Sequence, residues 1–137
     1  MSASVLQCAY ARFLGLRSGE GGVVVLPFAE GHVGNPLLPA LHGGVIGALL
    51  EVAAFEAALT ALPSSVQPRT IGLTVAYLRP GRSEETFAAG RVVRRGKRVG
   101  TVLVEAWQSG GRDRPIATAT VQLLFAEETG ADGLPLA

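Results

Sequence analysis

The stretch from Leu41 to Leu59, LHGGVIGALLEVAAFEAAL, reads as an almost wholly apolar helix that starts at His-Gly-Gly and carries a carboxylate at Glu51. An ionised carboxylate taken out of water without partners is penalised by several kcal/mol. Glu51 therefore needs a partner, a water-filled pocket or a chemical task. The task open to it is that of a general base toward water, or of a nucleophile toward an activated carbonyl. The plainer alternative is that it surfaces on the helix and meets solvent or a cation. Glu56 lies five positions further on, about 140° round the helix, so the two acids do not face one pocket and a paired-carboxylate mechanism is disfavoured.

The start of the same helix offers a second group. The first amides of a helix have no internal acceptor, and glycines at positions 43 and 44 let a ligand approach the backbone closely. Amides aimed outward, with the helix dipole behind them, suit an oxyanion developing on a carbonyl oxygen. The alternative is that His42 only caps the helix and the glycines only relieve crowding. His42 and Glu51 are nine residues apart, which on a helix is about 13–14 Å of rise and about half a turn. One chain cannot bring both to the same carbonyl. If both serve one site, the amides come from one subunit and the carboxylate from another, and the spacing predicts a symmetric dimer.

The elements that must position these groups follow from the rest of the chain. At 137 residues it is one domain. Hydrophobic residues make up 48% and charged residues 17%, so apolar surface is expected between subunits as well as within one. A net charge of +1 provides no bulk attraction to nucleic acid or membrane. A single cysteine, Cys8, excludes an intrachain disulfide and a Cys-rich metal site, and reads as a small packed residue. The N-terminus has no basic region leading into a clean apolar run, and no apolar segment long enough for a bilayer lacks carboxylates. A soluble cytoplasmic protein is expected.

Residues about 3 to 13 suit a short helix, Gly21 to Phe28 a strand, and AEGHVGNPLLPA a loop. The long helix runs from His42 to about Leu62, where two prolines end it. Four strand-like runs follow: Thr70 to Leu78, Thr86 to Arg94, Val99 to Gln108 and Pro115 to Phe125. Their short connections predict hairpins or local links and a mostly antiparallel sheet. The fold class is α+β, with a sheet of five to six strands wrapped round most sides of the central helix. Residues 1–126 form one domain, and 127–137 read as a flexible tail.

LHGGVIGALLEVAA, then TIGLTVAYLRPG, then GRVVRRGKRVGTVLVEAW and IATATVQLLF together resemble the PaaI-like branch of the hotdog-fold acyl-CoA thioesterases. The resemblance covers roughly residues 20 to 125. It implies a long helix wrapped by antiparallel sheet, edge-to-edge dimers that pair into tetramers, and hydrolysis of an acyl-CoA or aroyl-CoA thioester with no metal and no cofactor beyond the CoA of the substrate. It assigns the base or nucleophile to Glu51 and an oxyanion-hole amide to Gly43, with Gly44 beside it. Most members carry Asp where this chain has Glu51; Glu serves a related branch acting on aromatic thioesters. Thr70, seven residues before Tyr77, corresponds to the Ser or Thr that positions water or the acid. The Asn or Gln usually six residues before the histidine is Pro36 here, and Asn35, one residue earlier, is expected to orient the water together with His42. The alternative function is a non-catalytic acyl-CoA-binding protein of the same fold.

The basic residues have two readings. In RVVRRGKR, turn cations are commonly just solvated. The functional reading has Arg94, Arg95, Lys97 and Arg98, or Arg79 and Arg82, binding the CoA phosphates. No aromatic residues alternate with these charges, which argues against single-stranded nucleic acid.

Overall fold

The computed structural model describes residues 6, 8–61 and 67–126. The expected C-terminal tail and most of the first turn expected for the N-terminal helix lie outside them. Helix α1 (Ala9–Leu14) is capped by Cys8, whose Sγ accepts from the Ala11 N–H at 3.4 Å, and ends on Gly15 at φ 80°. Cys8 is thus an exposed cap and not a packed residue. Strand β1 (Arg17–Ser18) and a 3-10 turn (Glu20–Gly22) precede β2 (Val24–Leu26). The expected strand from Gly21 begins three residues late because Gly21 and Gly22 have φ of 64° and 82°, a turn conformation. The segment expected as a loop contains a separate small hairpin, β3 (Val33–Asn35) with β4 (Leu38–Leu41). Its prolines at positions 36 and 39 hide it from a propensity reading.

The central helix α2 (Gly43–Ala61) leads to β5 (Gln67–Tyr77), β6 (Thr86–Arg95), β7 (Val99–Trp107) and β8 (Ala117–Ala126). These join β1 and β2 in a six-stranded antiparallel sheet of order β1-β2-β6-β7-β8-β5. Connections β6–β7 and β7–β8 are hairpins, as expected. The β5–β6 connection joins strands that are not neighbours: β5 pairs with β8 over Gln67↔Ala126 to Tyr77↔Ala117. Three inter-strand steps separate β5 from β6, about 14 Å, and the eight residues between them reach that distance with ease. Strand β5 is left on the edge of the sheet.

Helix α2 lies on one face of the sheet. Leu49, Leu50, Ala53 and Ala54 are fully buried with Val102, Ala106, Val121 and Leu123. Each buried leucine contributes on the order of 1.5–3 kcal/mol. The close approach depends on small residues. A Cβ on Gly90 of β6 would lie 3.2 Å from the Ala53 carbonyl oxygen and 3.3 Å from the Ala57 Cβ. As the sequence had suggested, the mostly antiparallel sheet packs round the central helix, and one stripe of the helix is less deeply buried. Gly44, Ala48, Glu51, Phe55 and Leu59 fall within about 80° of one another round the axis, and none of them is fully buried. This stripe is only partly covered within one protomer. By length and composition α2 could cross a bilayer, but half of its span is buried in the fold as a core helix.

Candidate active site

The entry turn of α2 is built from His42, Gly43 and Gly44. The Gly44 N–H donates to His42 Nδ1 at 2.8 Å, which places the ring proton on Nε2 and turns that donor outward. The His42 carbonyl accepts from the N–H groups of Val45 and Ile46. Gly43 has no backbone acceptor for its N–H among the described residues. The two glycines therefore differ: the Gly44 N–H is used in a cap, and the Gly43 N–H is unengaged among the described residues. Tyr77, at the end of β5, donates its hydroxyl to the Gly43 carbonyl at 2.7 Å and ties the helix start to the sheet edge. Space is tight on both sides. A Cβ on Gly43 would lie 3.3 Å from the Tyr77 oxygen, and one on Gly34 would lie 3.0 Å from the His42 ring. Beside Gly43 is a cavity of about 350 Å³, walled by Ile46, Tyr77, Leu78, Arg79 and Pro80.

Glu51 is half-buried on the partly covered stripe of α2, and its carboxylate has neither hydrogen bond nor ion pair among the described residues. It does not line the Gly43 cavity. Eight residues of helix separate the two, about 12 Å, so one chain keeps them apart as the spacing predicts. Thr70, on β5, faces the helix side of the sheet opposite Leu123. Its Oγ1 is buried and has no hydrogen-bond partner, alone among the buried side-chain polar atoms described. Buried hydroxyls are nearly always paired, so this one is poised to hold something. Asn35 is exposed in the β3–β4 turn, where its Oδ1 accepts from the Leu37 N–H at 2.9 Å; only its amide nitrogen is left to act elsewhere.

The second histidine, His32, is structural. It is buried, its Nδ1 accepts from the Ala29 N–H, and its Nε2 is 2.9 Å from the Leu14 carbonyl.

The basic residues separate into two groups. Arg79 lies beside Gly43 and donates to the Pro115 carbonyl. Arg94, Arg95, Lys97 and Arg98 lie on the exposed β6–β7 hairpin at the other end of α2, where Arg95 reaches the Ala61 carbonyl at 3.5 Å. Within one protomer the fold brings Arg79, and not the hairpin, to the cavity beside Gly43. Sequence reasoning missed the contact made by Tyr77, because the partner of its hydroxyl depends on how the helix docks. It also missed Arg114, which no motif contains.

The model of the thioesterase superfamily matches residues 38–114, a stretch that includes His42, Gly43, Glu51, Thr70 and Arg79 and leaves out Asn35. The chain belongs to the thioesterase superfamily. This thioesterase-superfamily protein is 37% identical over 86 residues to the medium/long-chain acyl-CoA thioesterase YigI of Escherichia coli (strain K12). That match takes in 53% of this chain and 56% of YigI, so the chain spans about half the length of the curated relatives it matches. A Chromobacterium violaceum protein of known structure is 35% identical, over 89% of this chain and 87% of that one, with a TM-score of 0.67. A Bacillus halodurans protein solved with CoA is 26% identical over 85% of this chain and 74% of that one, with a TM-score of 0.75. The fold is the hotdog fold of this superfamily.

Proposed function

We propose that this protein hydrolyses acyl-CoA or aroyl-CoA thioesters at composite sites, each shared by two protomers of a homodimer. One observation carries the reading: an unengaged Gly43 amide opens on a cavity at the start of α2, while an unpaired Glu51 carboxylate sits about 12 Å up the same helix on a stripe that the sheet leaves partly uncovered. A two-fold axis that covers the stripe brings Glu51 of the partner subunit to the Gly43 cavity. Likeness to an acyl-CoA thioesterase and to a protein solved with CoA supports the choice of substrate. The edge position of β5 supports pairing of sheets edge to edge, and a further pairing of dimers is consistent with the apolar composition.

In this scheme the thioester oxygen accepts from the Gly43 N–H, with the α2 dipole behind it. Glu51 of the partner subunit takes a proton from water as the water oxygen bonds to the carbonyl carbon. The tetrahedral oxyanion collapses, the C–S bond breaks, and the thiolate of CoA receives the proton from Glu51, leaving free acid and CoA. Direct attack by the carboxylate, giving a mixed anhydride that water then opens, uses the same atoms. Thr70 Oγ1 holds the carboxylate or the water. His42 Nε2–H and the Asn35 amide nitrogen are further donors for the water.

The test is thiol release from a panel of medium-chain, long-chain and aromatic CoA thioesters, comparing wild type with Glu51→Gln at equal oligomer size. Loss of about a hundredfold or more in kcat, the scale of a positioned base, is expected. If both proteins are inert yet bind acyl-CoA, the hydrolase reading fails and the alternative of a non-catalytic acyl-CoA-binding protein takes its place.

A further inference from the structure

Gln108, the residue after β7, is buried and has no part in the scheme above, yet both polar ends of its side chain are engaged. Its Oε1 accepts from the Arg82 N–H at 3.0 Å, and its Nε2 donates to the Arg82 carbonyl at 2.9 Å and to Thr86 Oγ1 at 3.0 Å. The carboxamide thus pairs with both backbone groups of one residue, as a neighbouring strand would. Thr86 is itself fully buried, and its hydroxyl donates to the Glu84 carbonyl at 3.2 Å.

The other side of the same segment faces the start of α2. Residues 81–83 run antiparallel to residues 39–41, with Ala40 bridged to Arg82. The Leu41 N–H donates to the Gly81 carbonyl at 2.9 Å, and the Ser83 hydroxyl donates to the Pro39 carbonyl at 3.3 Å. Gly81 is buried, and a Cβ there would lie 3.2 Å from Ile46 Cδ1, 3.2 Å from Ile116 Cδ1 and 3.3 Å from Leu41 Cδ1. The segment therefore lies flush against the first turn of α2. Leu41 is followed directly by His42 and Gly43. Gly81, Leu41 and Gly43 wall one cavity; Gln108 does not line it, and lies instead with Arg79, Arg82 and Arg114 at the adjoining cavity of about 320 Å³.

We propose that Gln108 is a positioning residue for the Gly43 amide. Its carboxamide fixes Arg82, the bridge fixes Gly81 against Leu41, and Leu41 fixes the turn that presents the Gly43 N–H. Without the carboxamide, the Arg82 backbone groups and the Thr86 hydroxyl lose partners that water replaces only if the segment moves. An amide aimed at a developing oxyanion works only when held within about 0.5 Å of its productive place, so a small movement of residues 81–83 is enough. The effect on hydrolysis rests on the thioesterase reading; the effect on the turn does not.

The test is Gln108→Met, which keeps the length of the side chain and removes its bonds. Two quantities are measured: the kinetics on a CoA thioester that the wild type cleaves, and the backbone amide NMR signals of the glycines. The Gly43 and Gly44 signals are expected to shift, and kcat to fall about tenfold with KM kept, less than the hundredfold or more that follows complete loss of an oxyanion donor. Val102→Ala is the control for lost stability alone, since fully buried Val102 packs against Gly90 and not against the turn. It should move the Gly90 signal and leave Gly43, Gly44 and kcat unchanged. Unmoved Gly43 and Gly44 signals in folded Gln108→Met, shifts with kcat unchanged, or equal changes in the control overturn the proposal. Should Gln108→Met not fold, Gly81→Ala takes its place, because its Cβ presses the same segment away from Leu41 and Ile46 while the carboxamide stays. The same shifts and the same fall are expected, and their absence overturns the proposal. Should the wild type cleave no thioester, the hydrolase reading falls, and the Gly43 and Gly44 signals alone uphold or overturn the positioning.

Discussion

At the scale of single residues, the site depends on which backbone groups at the start of α2 are already engaged. Gly44 is held by His42 Nδ1, and the Gly43 carbonyl by Tyr77 Oη, so the Gly43 N–H is presented on a turn fixed from both sides. Tyr77→Phe removes the second restraint without changing the ring that packs there. A hydrogen bond of this kind contributes about 0.5–1.5 kcal/mol, so urea denaturation should register a loss near the lower end for this exposed pair. If the Gly43 N–H acts as proposed, the activity should fall mainly in kcat, since a loosened oxyanion donor affects the transition state more than binding. An unchanged kcat would show that Gly43 needs no such support. The orphaned hydroxyl of Thr70 and the unpaired carboxylate of Glu51 are the other residue-scale departures from a well-paired core. Both were singled out by sequence, Glu51 from its apolar setting and Thr70 from the motif it shares with hotdog thioesterases. Their lack of partners could be seen only once the fold was assembled.

At the scale of elements, the connection between β5 and β6 links an edge strand to an inner strand of one sheet. Glu84 and Ser109 fasten that connection to the β7–β8 loop. The Ser109 hydroxyl and N–H, with Arg82 nearby, hold the Glu84 carboxyl below its usual range. A carboxylate with a depressed folded pKa stabilises the protein above its unfolded value, about 4.3 for glutamate, and that contribution disappears as pH falls through the lowered folded value. Thermal unfolding measured down through this acid range should therefore show a steeper loss for wild type than for Glu84→Gln, the two curves converging at low pH. Parallel curves would mean that the clamp adds nothing. The element order was legible from periodicity, Gly and Pro, because each strand and the long helix carry their own signal. Two things were not legible. The β3–β4 hairpin is short and interrupted by proline, and the pairing of β5 with β8 is non-local, joining strands that are far apart in the chain.

At the scale of the whole molecule, the proposed sharing of each site across a two-fold axis makes a prediction that no single-chain site makes. In the proposed mechanism Gly43→Pro deletes the oxyanion N–H, at a first-turn position that lacks an internal acceptor but where the ring must crowd Tyr77, and Glu51→Gln deletes the base; both variants are compared at equal folding. Each alone should be nearly inactive. Mixed, unfolded and refolded together in equal amounts, they should recover about a quarter of wild-type activity, because half of the dimers are mixed and each of those has one intact site of two. No recovery, with mixed dimers shown to form, would place Gly43 and Glu51 in the same protomer's site or in none.

The sequence by itself determined the α+β class, the limits of the central helix to within a residue or two, and the separation along one helix that keeps Gly43 and Glu51 of a single chain apart. These are local matters: residue type, spacing on a helix of fixed rise, and turn-forming residues at each end. Only the tertiary structure decided that Gly44 is used up and Gly43 is not, that a stripe of α2 is left partly uncovered, and that Arg79, Arg82 and Arg114 meet in one pocket. Arg79 and Arg82 come from the β5–β6 connection and Arg114 from the β7–β8 loop, and their meeting is set by the tertiary arrangement of those two connections, which no local pattern encodes.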